Sequence, residues 1–276
     1  MTRGRSGPLS GKGETGTEIF ALAGWLDALC DLAAQAGARI LDFYERGTDA
    51  RIKADASPVT DADIASERII LEGLAEIAPE ISVISEESHS SDREGAPGRR
   101  FFLVDPLDGT REFLKRNGEF TVNIALIEDC LPILGVVHVP VWGVTYTGLI
   151  GGGAAREARM NRDHPIRCRN VPAEGLTVVA SRSHGDAEKL ARFLAGRSVA
   201  GETLAGSSLK FCLLAAGKAD LYPRFGRTME WDTAAGHAVL RAAGGHVETF
   251  EGEELTYGKP DFVNPAFVAR GFTDQA

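Results

Sequence analysis

The residues Phe101-Phe102-Leu103-Val104-Asp105-Pro106-Leu107-Asp108-Gly109-Thr110 run from a short apolar segment straight into a turn that carries two carboxylates. The apolar run reads as a buried strand. Pro106 fixes one backbone angle and Gly109 permits a conformation closed to most residues. The turn can therefore aim Asp105, Asp108 and the intervening Leu107 carbonyl at one point. Oxygen donors of this kind suit a hard cation such as Mg²⁺, and a cation is the natural way to keep two crowded carboxylates ionised. Asp, Pro and Gly are also ordinary turn formers. The metal reading gains ground because other acidic residues close other apolar segments.

Upstream, Ile19, Leu22, Leu26, Leu29, Ala33, Ala36, Ile40 and Phe43 recur in steps of three and four, which predicts a long amphipathic helix ending near Gly47. A second helix is expected from Asp61 to Ala78, then a strand from Ile81 to Ile84 that leads to Glu86 and Glu87. Ser88 to Gly98 reads as a polar surface loop. Downstream, Thr121–Ile127, Ile133–Val139 and Val144–Leu149 are β-rich runs suited to antiparallel pairing. Gly151-Gly152-Gly153 opens a loop-rich passage to about Val171, where a hairpin turn is preferred over a phosphate cradle. Strands and helices then alternate: a strand at Leu176–Ala180, helices at Ala187–Ala195 and Ser208–Ala216, a strand at Ala219–Tyr222 and a helix at Asp232–Ala243. The pattern predicts a disordered tail at 1–17, an α+β lobe at 18–170 carrying most metal ligands, and an α/β lobe at 171–276 completing the site.

With 43% hydrophobic residues in 276, the chain can bury a substantial core. Its net charge of −9 and pI near 5.3 argue against a nucleic acid polymer or an anionic membrane as partner. A small anionic substrate remains open, because bound metal ions reverse the local field. No apolar stretch is long enough to span a bilayer, and the first residues lack the apolar core of a secretory signal. Cys30, Cys130, Cys168 and Cys212 show no pairing pattern and read as buried, reduced thiols. The expected location is the cytoplasm; a peripheral position at the cytoplasmic face of the inner membrane stays open, with no visible anchor. Oligomeric state is not legible.

The acidic positions share a character. Glu86 follows one strand, Asp105 and Asp108 another, and Asp232 opens a helix in Trp231-Asp232-Thr233-Ala234-Ala235-Gly236. Asp232 could be a simple helix cap, but the small residues behind it allow close approach, and a helix start attracts phosphate. Asp61 is the plausible cap of the second helix, which leaves Asp63 with no obvious local task. Five carboxylates converging on two or three Mg²⁺ ions would constitute a phosphatase site, able to hold both the attacking water and the leaving oxygen.

Four segments then carry a resemblance: Val59–Asp63 (V-T-D-A-D), Ser85–Glu87 (S-E-E), Asp105–Thr110 (D-P-L-D-G-T) and Trp231–Gly236 (W-D-T-A-A-G). They resemble, in order, the motifs of the inositol monophosphatase superfamily of Mg²⁺-dependent, lithium-sensitive phosphatases, over most of the chain beyond the tail. The resemblance implies a layered αβαβα sandwich with the site between two lobes. It implies that Glu86, Asp105 and the Leu107 carbonyl bind one metal, and that Asp105, Asp108 and Asp232 bind a second. It further implies that the Thr110 hydroxyl and Asp63, with metal-ligating Glu86, prepare a water that attacks phosphorus in line without a covalent intermediate. Gly109 and Thr110 N–H groups would hold the phosphate, against which Leu107, Asp108 and Asp232 also lie.

Three further segments, Lys115–Phe120, Gly206–Cys212 and Leu221–Gly226, resemble the bisphosphate nucleotidase branch, whose members remove the 3'-phosphate of adenosine 3',5'-bisphosphate to give AMP. A second phosphate needs cations beyond the metal cluster, and Lys210, Arg224 and Lys115 are candidates, with Ser207 and Ser208 as hydroxyl or backbone donors. Each has a plain alternative: a solvated loop for Lys115 and Arg116, a helix-surface lysine for Lys210, a structural turn charge for Arg224. Arg111 stands where the family usually has Lys. Inositol phosphate, histidinol phosphate or a sugar bisphosphate remain alternative esters, and a non-catalytic binder of a phosphorylated metabolite is the alternative of another class.

Overall fold

The computed structural model describes residues 16–53, 58–89, 97–152, 155–159, 162–182 and 186–271. Helix α1 (Gly16–Arg46) precedes an antiparallel pair, β1 (Ala50–Ile52) and β2 (Pro58–Thr60), and then α2 (Asp61–Ile77). A seven-stranded sheet follows from β3 (Ser82–Ser85), β4 (Arg100–Asp108), β5 (Thr121–Glu128), β6 (Leu131–Val139), β7 (Val144–Leu149), β8 (Ala155–Arg159) and β9 (Arg162–Ile166), adjacent in that order, with the short α3 (Thr110–Leu114) after β4. The β3–β4 pair is parallel and every later pair antiparallel. The second half supplies β10 (Leu176–Ser181), α4 (Ala187–Leu194), β11 (Val199–Ala205), α5 (Leu209–Ala215), β12 (Leu221–Arg224), β13 (Thr228–Met229), α6 (Ala234–Ala242), β14 (His246–Thr249), β15 (Val263–Asn264) and β16 (Phe267–Arg270). Its five strands order as β11-β10-β12-β16-β14, parallel on one side of β12 and antiparallel on the other.

Strand alternation builds the layers, because successive side chains point to opposite faces. Phe102, Val104, Ile124, Leu126 and Val136 pack with Leu29, Ala36, Ile40, Ile70 and Leu74 of α1 and α2. Phe101, Leu103, Ala125, Ile127 and Val137 turn the other way, onto Leu209, Phe211, Ala235 and Val239 of α5 and α6, which meet Tyr222 and Phe267 of the second sheet beneath. The far face of that sheet packs Val178, Leu221 and Val268 on Leu190, Phe193 and Leu194 of α4. The order is α1/α2, sheet, α5/α6, sheet, α4, which is the expected αβαβα sandwich. Each large apolar side chain removed from water contributes on the order of 2 kcal/mol.

One close approach sets the geometry of the site. Gly135 and Gly148 face each other across β6 and β7. A Cβ on Gly135 would lie 2.4 Å from the Ala235 carbonyl oxygen, and one on Gly148 would lie 2.6 Å from Val239 Cα. The backbone of α6 therefore lies directly on the first sheet and carries Asp232, just ahead of the helix, to the end of β4.

Several elements differ from expectation. The passage after Gly151 contains the β8–β9 pair, whose mostly polar residues lie at the sheet edge and lack an apolar alternation. β11 is a largely exposed edge strand without such alternation, and β14 is the opposite edge; β16 is an interior, buried strand of only four residues, too short a run to stand out. The last helix starts at Ala234 with Thr233 as N-cap, so Asp232 is not its cap. Cys212 is buried and Cys30 and Cys168 partly so, but Cys130 is exposed; all four are free thiols. Residues 1–15 of the expected tail and 90–96 of the expected surface loop lie outside the described residues, and Gly16 and Thr17 belong to α1. The two expected lobes share one interior, since α5 and α6 of the later half fill the space between the sheets. No described helix is long and apolar enough to cross a membrane.

Candidate active site

The turn after Val104 is held from three directions. Leu107 N–H donates to Asp105 Oδ1 at 3.1 Å, folding the turn back on its first carboxylate. The Ser66 hydroxyl of α2 donates to the Pro106 carbonyl at 2.7 Å. Gly109 takes φ +95°, a conformation that favours glycine, and a Cβ there would lie a tight 3.3 Å from the Glu119 carbonyl oxygen. The chain then enters α3 at Thr110.

Asp105, Glu86 and Asp232 each bring a carboxylate oxygen within 4.8 Å of the others, although they come from three separate segments. Asp108 and Leu107 line the same cleft, which has a volume of about 940 Å³ with its open mouth. Burial first, then the charges of Glu86 and Asp108, push the Asp105 carboxyl well above the usual range; Asp232 is raised by burial, Asp108 and Glu86. Asp108 rises to about 6 through burial, opposed by the Lys210 charge and the Ser208 N–H. Such acids ionise together only with positive charge among them, and the donors are all oxygen. The set fits a hard divalent cation.

Thr110 Oγ1 donates to Asp63 Oδ1 at 3.1 Å and lies 3.5 Å from the Leu107 carbonyl, which joins the start of α2 to the turn. Asp63 also has a local task after all. Thr60, not Asp61, is the N-cap of α2, and Asp63 completes the capping box by accepting from Thr60 N–H at 2.8 Å and Thr60 Oγ1 at 2.7 Å. Asp61 instead pairs with Arg51 at 2.6 Å on the surface. Burial raises the Asp63 carboxyl in spite of these hydrogen bonds.

The second half contributes Ser207, Lys210, Arg224 and Asp232 to the cleft. Lys210 and Arg224 are both buried, yet Lys210 Nζ donates to the Ser207 carbonyl at 2.6 Å and Arg224 Nη2 to the Arg227 carbonyl at 3.2 Å. Arg224 Nε is buried without a partner. Burial lowers Lys210 to about 8, with Asp108 opposing. Ser208 sits one step back from the cleft. Its N–H donates to Asp108 Oδ2 at 2.7 Å and its hydroxyl to the Asp232 carbonyl at 2.7 Å. Lys115 and Arg116 do not line the cleft; the Arg116 guanidinium bonds the Tyr44 carbonyl and stacks 4.6 Å over the Tyr44 ring.

Sequence reasoning missed three participants. Lys53 Nζ bridges Glu86 at 2.8 Å and Glu87 at 2.7 Å. Asn123 lies in the apolar strand β5 and donates to both Asp108 and Ser208; a lone amide in an otherwise apolar run was the available signal. Arg182 makes a two-pronged pair with Glu119 at 2.8 and 2.6 Å, and Glu119 also accepts the Gly206 N–H at 2.9 Å, clasping the two halves beside the cleft.

Comparison with known proteins agrees with this geometry. The model of the inositol monophosphatase family matches residues 22–274. The 3'(2'),5'-bisphosphate nucleotidase CysQ of Escherichia coli K12 is 48% identical over 245 residues, covering 88% of this chain and 98% of that protein; its Shigella flexneri counterpart is 49% identical over the same coverage. Among solved structures, CysQ from Bacteroides thetaiotaomicron, described as a bacterial member of the inositol monophosphatase family, superimposes with a TM-score of 0.73 at 37% identity, covering 93% of this chain and 97% of that one. A Thermotoga maritima inositol monophosphatase gives a TM-score of 0.76 at 25% identity, covering 90% and 92%. With four motifs meeting around one acidic cleft in a five-layered fold, and a family match over nearly the whole chain, this protein belongs to the inositol monophosphatase family.

Proposed function

We propose that this protein is a Mg²⁺-dependent phosphomonoesterase that removes the 3'-phosphate of adenosine 3',5'-bisphosphate, giving AMP and phosphate, in the cytoplasm. The observation that carries the substrate assignment is the pair Lys210 and Arg224. Both are buried in the wall of the cleft, and among the described residues their hydrogen bonds go to backbone carbonyls, with Lys210 Nζ also 5.3 Å over the Tyr222 ring. Lys210 draws on the Asp108 charge and Arg224 on that of Asp232, carboxylates that bound metals would neutralise, so a site that keeps two buried cations suits a ligand with an anionic group beyond the one being hydrolysed. The nucleotidase names of the relatives at 48–49% identity support the same substrate.

Glu86, Asp105, the Leu107 carbonyl, Asp108 and Asp232 would hold two or three Mg²⁺ ions. Magnesium bound there supplies Lewis acidity toward the phosphoryl oxygens and toward water, and neutralises the carboxylates. The chain's own residues handle the proton. Because Thr110 gives its hydrogen to Asp63, its oxygen is free to accept from a water; Asp63, made more basic by burial, is the final acceptor. Gly109 and Thr110 N–H groups face the phosphate at the start of α3.

Phosphate release measured across adenosine 3',5'-bisphosphate, inositol 1-phosphate and histidinol phosphate, with Mg²⁺ and with EDTA, tests the reading. Arg224→Gln should raise KM for the bisphosphate at least tenfold and leave a monophosphate ester within threefold. A wild-type preference of tenfold or more for inositol phosphate would overturn the substrate; no EDTA-sensitive release from any ester would overturn the enzyme.

A further inference from the structure

We infer that Asn123, acting through Ser208, is a positioning residue that holds metal ligands from the two halves of the chain in register. The inference rests on the proposed cation site and extends it by a residue that touches neither metal nor substrate. Asn123 is 1% exposed in β5, directly opposite Asp105 in the β4–β5 register. Its Nδ2 donates to Asp108 Oδ2 at 3.2 Å and to Ser208 Oγ at 3.0 Å. A carboxylate oxygen can only accept, so the amide orientation is fixed by chemistry. The Ser208 hydroxyl passes its own hydrogen to the Asp232 carbonyl at 2.7 Å, and its N–H reaches Asp108 Oδ2 at 2.7 Å. An unbroken chain therefore runs from Asp108 through Asn123 and Ser208 to the backbone of Asp232.

Two features show that this chain is not incidental packing. Every hydrogen bond found on the Asp108 carboxylate, from Ser208 N–H, Asn123 and, at 3.5 Å, Thr121, goes to Oδ2, leaving Oδ1 as the oxygen for a cation. Asn123 Oδ1 meanwhile is buried with no partner. An unpaired buried acceptor destabilises a fold, and an apolar side chain would serve β5 better. What the amide provides instead is two donors, spent on one ligand and on the link to another. The neighbouring Ser207 is held at φ +43°, a conformation that disfavours side chains, by its bonds to Lys210 and Glu119. The 206–208 turn is thus fixed rather than adaptable, so losing the amide cannot be made good by a small shift. Removing partners behind a metal ligand typically weakens binding 10- to 100-fold.

Titrating Mg²⁺ alone into metal-free protein, followed by calorimetry, tests this without any nucleotide. Asn123→Val should weaken Mg²⁺ at least tenfold while leaving Tm in EDTA equal or higher, because the unpaired oxygen goes with the amide. Turnover should recover to within about fivefold of wild type when Mg²⁺ is raised, which a merely structural loss would not do. Ser208→Ala, the second variant should the first fail to fold, should show the same shift. The double variant should bind within threefold of the weaker single one, since both break one chain. Asn123→Val, or Ser208→Ala in its place, binding within twofold of wild type overturns the positioning role alone. A wild-type protein that takes up no Mg²⁺ overturns the cation site with it, whereas the wrong nucleotide in the activity panel leaves this inference standing.

Discussion

Removing the metal should expose a carboxylate contribution to stability that falls as pH rises. Asp108 is raised from 3.8 to about 6 and Glu87, through burial, from 4.5 to about 7. Asp63, Asp105 and Asp232 are raised in the same sense. The unfolded chain releases these protons near pH 4, while the folded, metal-free protein keeps them to pH 6–7. In between, the folded state binds more protons, so stability is full below the unfolded values and declines up to the folded ones. At ~1.4 kcal/mol per tenfold change, Asp108 and Glu87 each account for ~3 kcal/mol in all, of which roughly 2–4 kcal/mol for the two together falls between pH 5 and pH 8. The lowered surface acids Asp129 and Asp186 act in the opposite sense below pH 4, and so do the buried histidines His138 and His237, lowered to about 4 and about 3, whose contribution rises with pH up to about 6.5 and offsets much of that loss in the wild-type curve.

Against a typical total of about 5–15 kcal/mol, that loss is readily measured. Urea unfolding in EDTA at pH 5, 6, 7 and 8 gives the curve directly. Millimolar Mg²⁺ should restore more stability at pH 8 than at pH 5, where protons compete for the same oxygens. Asp105→Asn, which removes one crowded charge, should lose part of the falling contribution, so that the metal-free variant gains on wild type from pH 5 to pH 8 and is the more stable of the two at pH 8. A metal-free Asp105→Asn that does not gain on wild type between pH 5 and pH 8 would refute the reasoning, because the carboxylates would then not be crowded in solution; the histidine contribution is common to both proteins and cancels.

The other expectations are shorter to state. Asp105→Asn should lower turnover more than Glu86→Gln in a phosphate-release assay, since the proposed arrangement has Asp105 serve both metals; near-normal turnover would remove its bridging role. Thr110→Ala should leave Mg²⁺ affinity within threefold and slow single-turnover chemistry by roughly 10²–10⁴-fold, the usual range for a proton-handling group. Gly148→Ala sets a methyl group 2.6 Å from Val239 Cα. Because the obstacle is backbone, the loss should be at least ~2 kcal/mol by urea unfolding, with weaker Mg²⁺ binding as α6 and Asp232 are pushed outward.

What could be read from the residues beforehand follows from how local each feature is. The Asp105–Thr110 turn and the Trp231–Gly236 segment carry their chemistry within six residues, so one window exposes both the backbone requirement and the donors. The central strands announce themselves because both faces are covered, giving unbroken apolar runs such as Phe101–Val104. The edge strands β9 and β11, and β8 beside the first of them, pack little on either face and so carry no pattern to read. The same distinction applies inside the site. Thr60 and Asp63 form a capping box at the three-residue spacing that such a box always shows, so this contact is legible in sequence. Asn123, Ser208 and Asp232, by contrast, are joined across 85 and 24 positions, and nothing near any of them in sequence names the others. The proposed metal ligands are legible because all but the Leu107 carbonyl are acids at the end of an element. The residues that hold those ligands in place need only reach them, a demand that any donor in the right place can meet, and it leaves its trace in the folded chain alone.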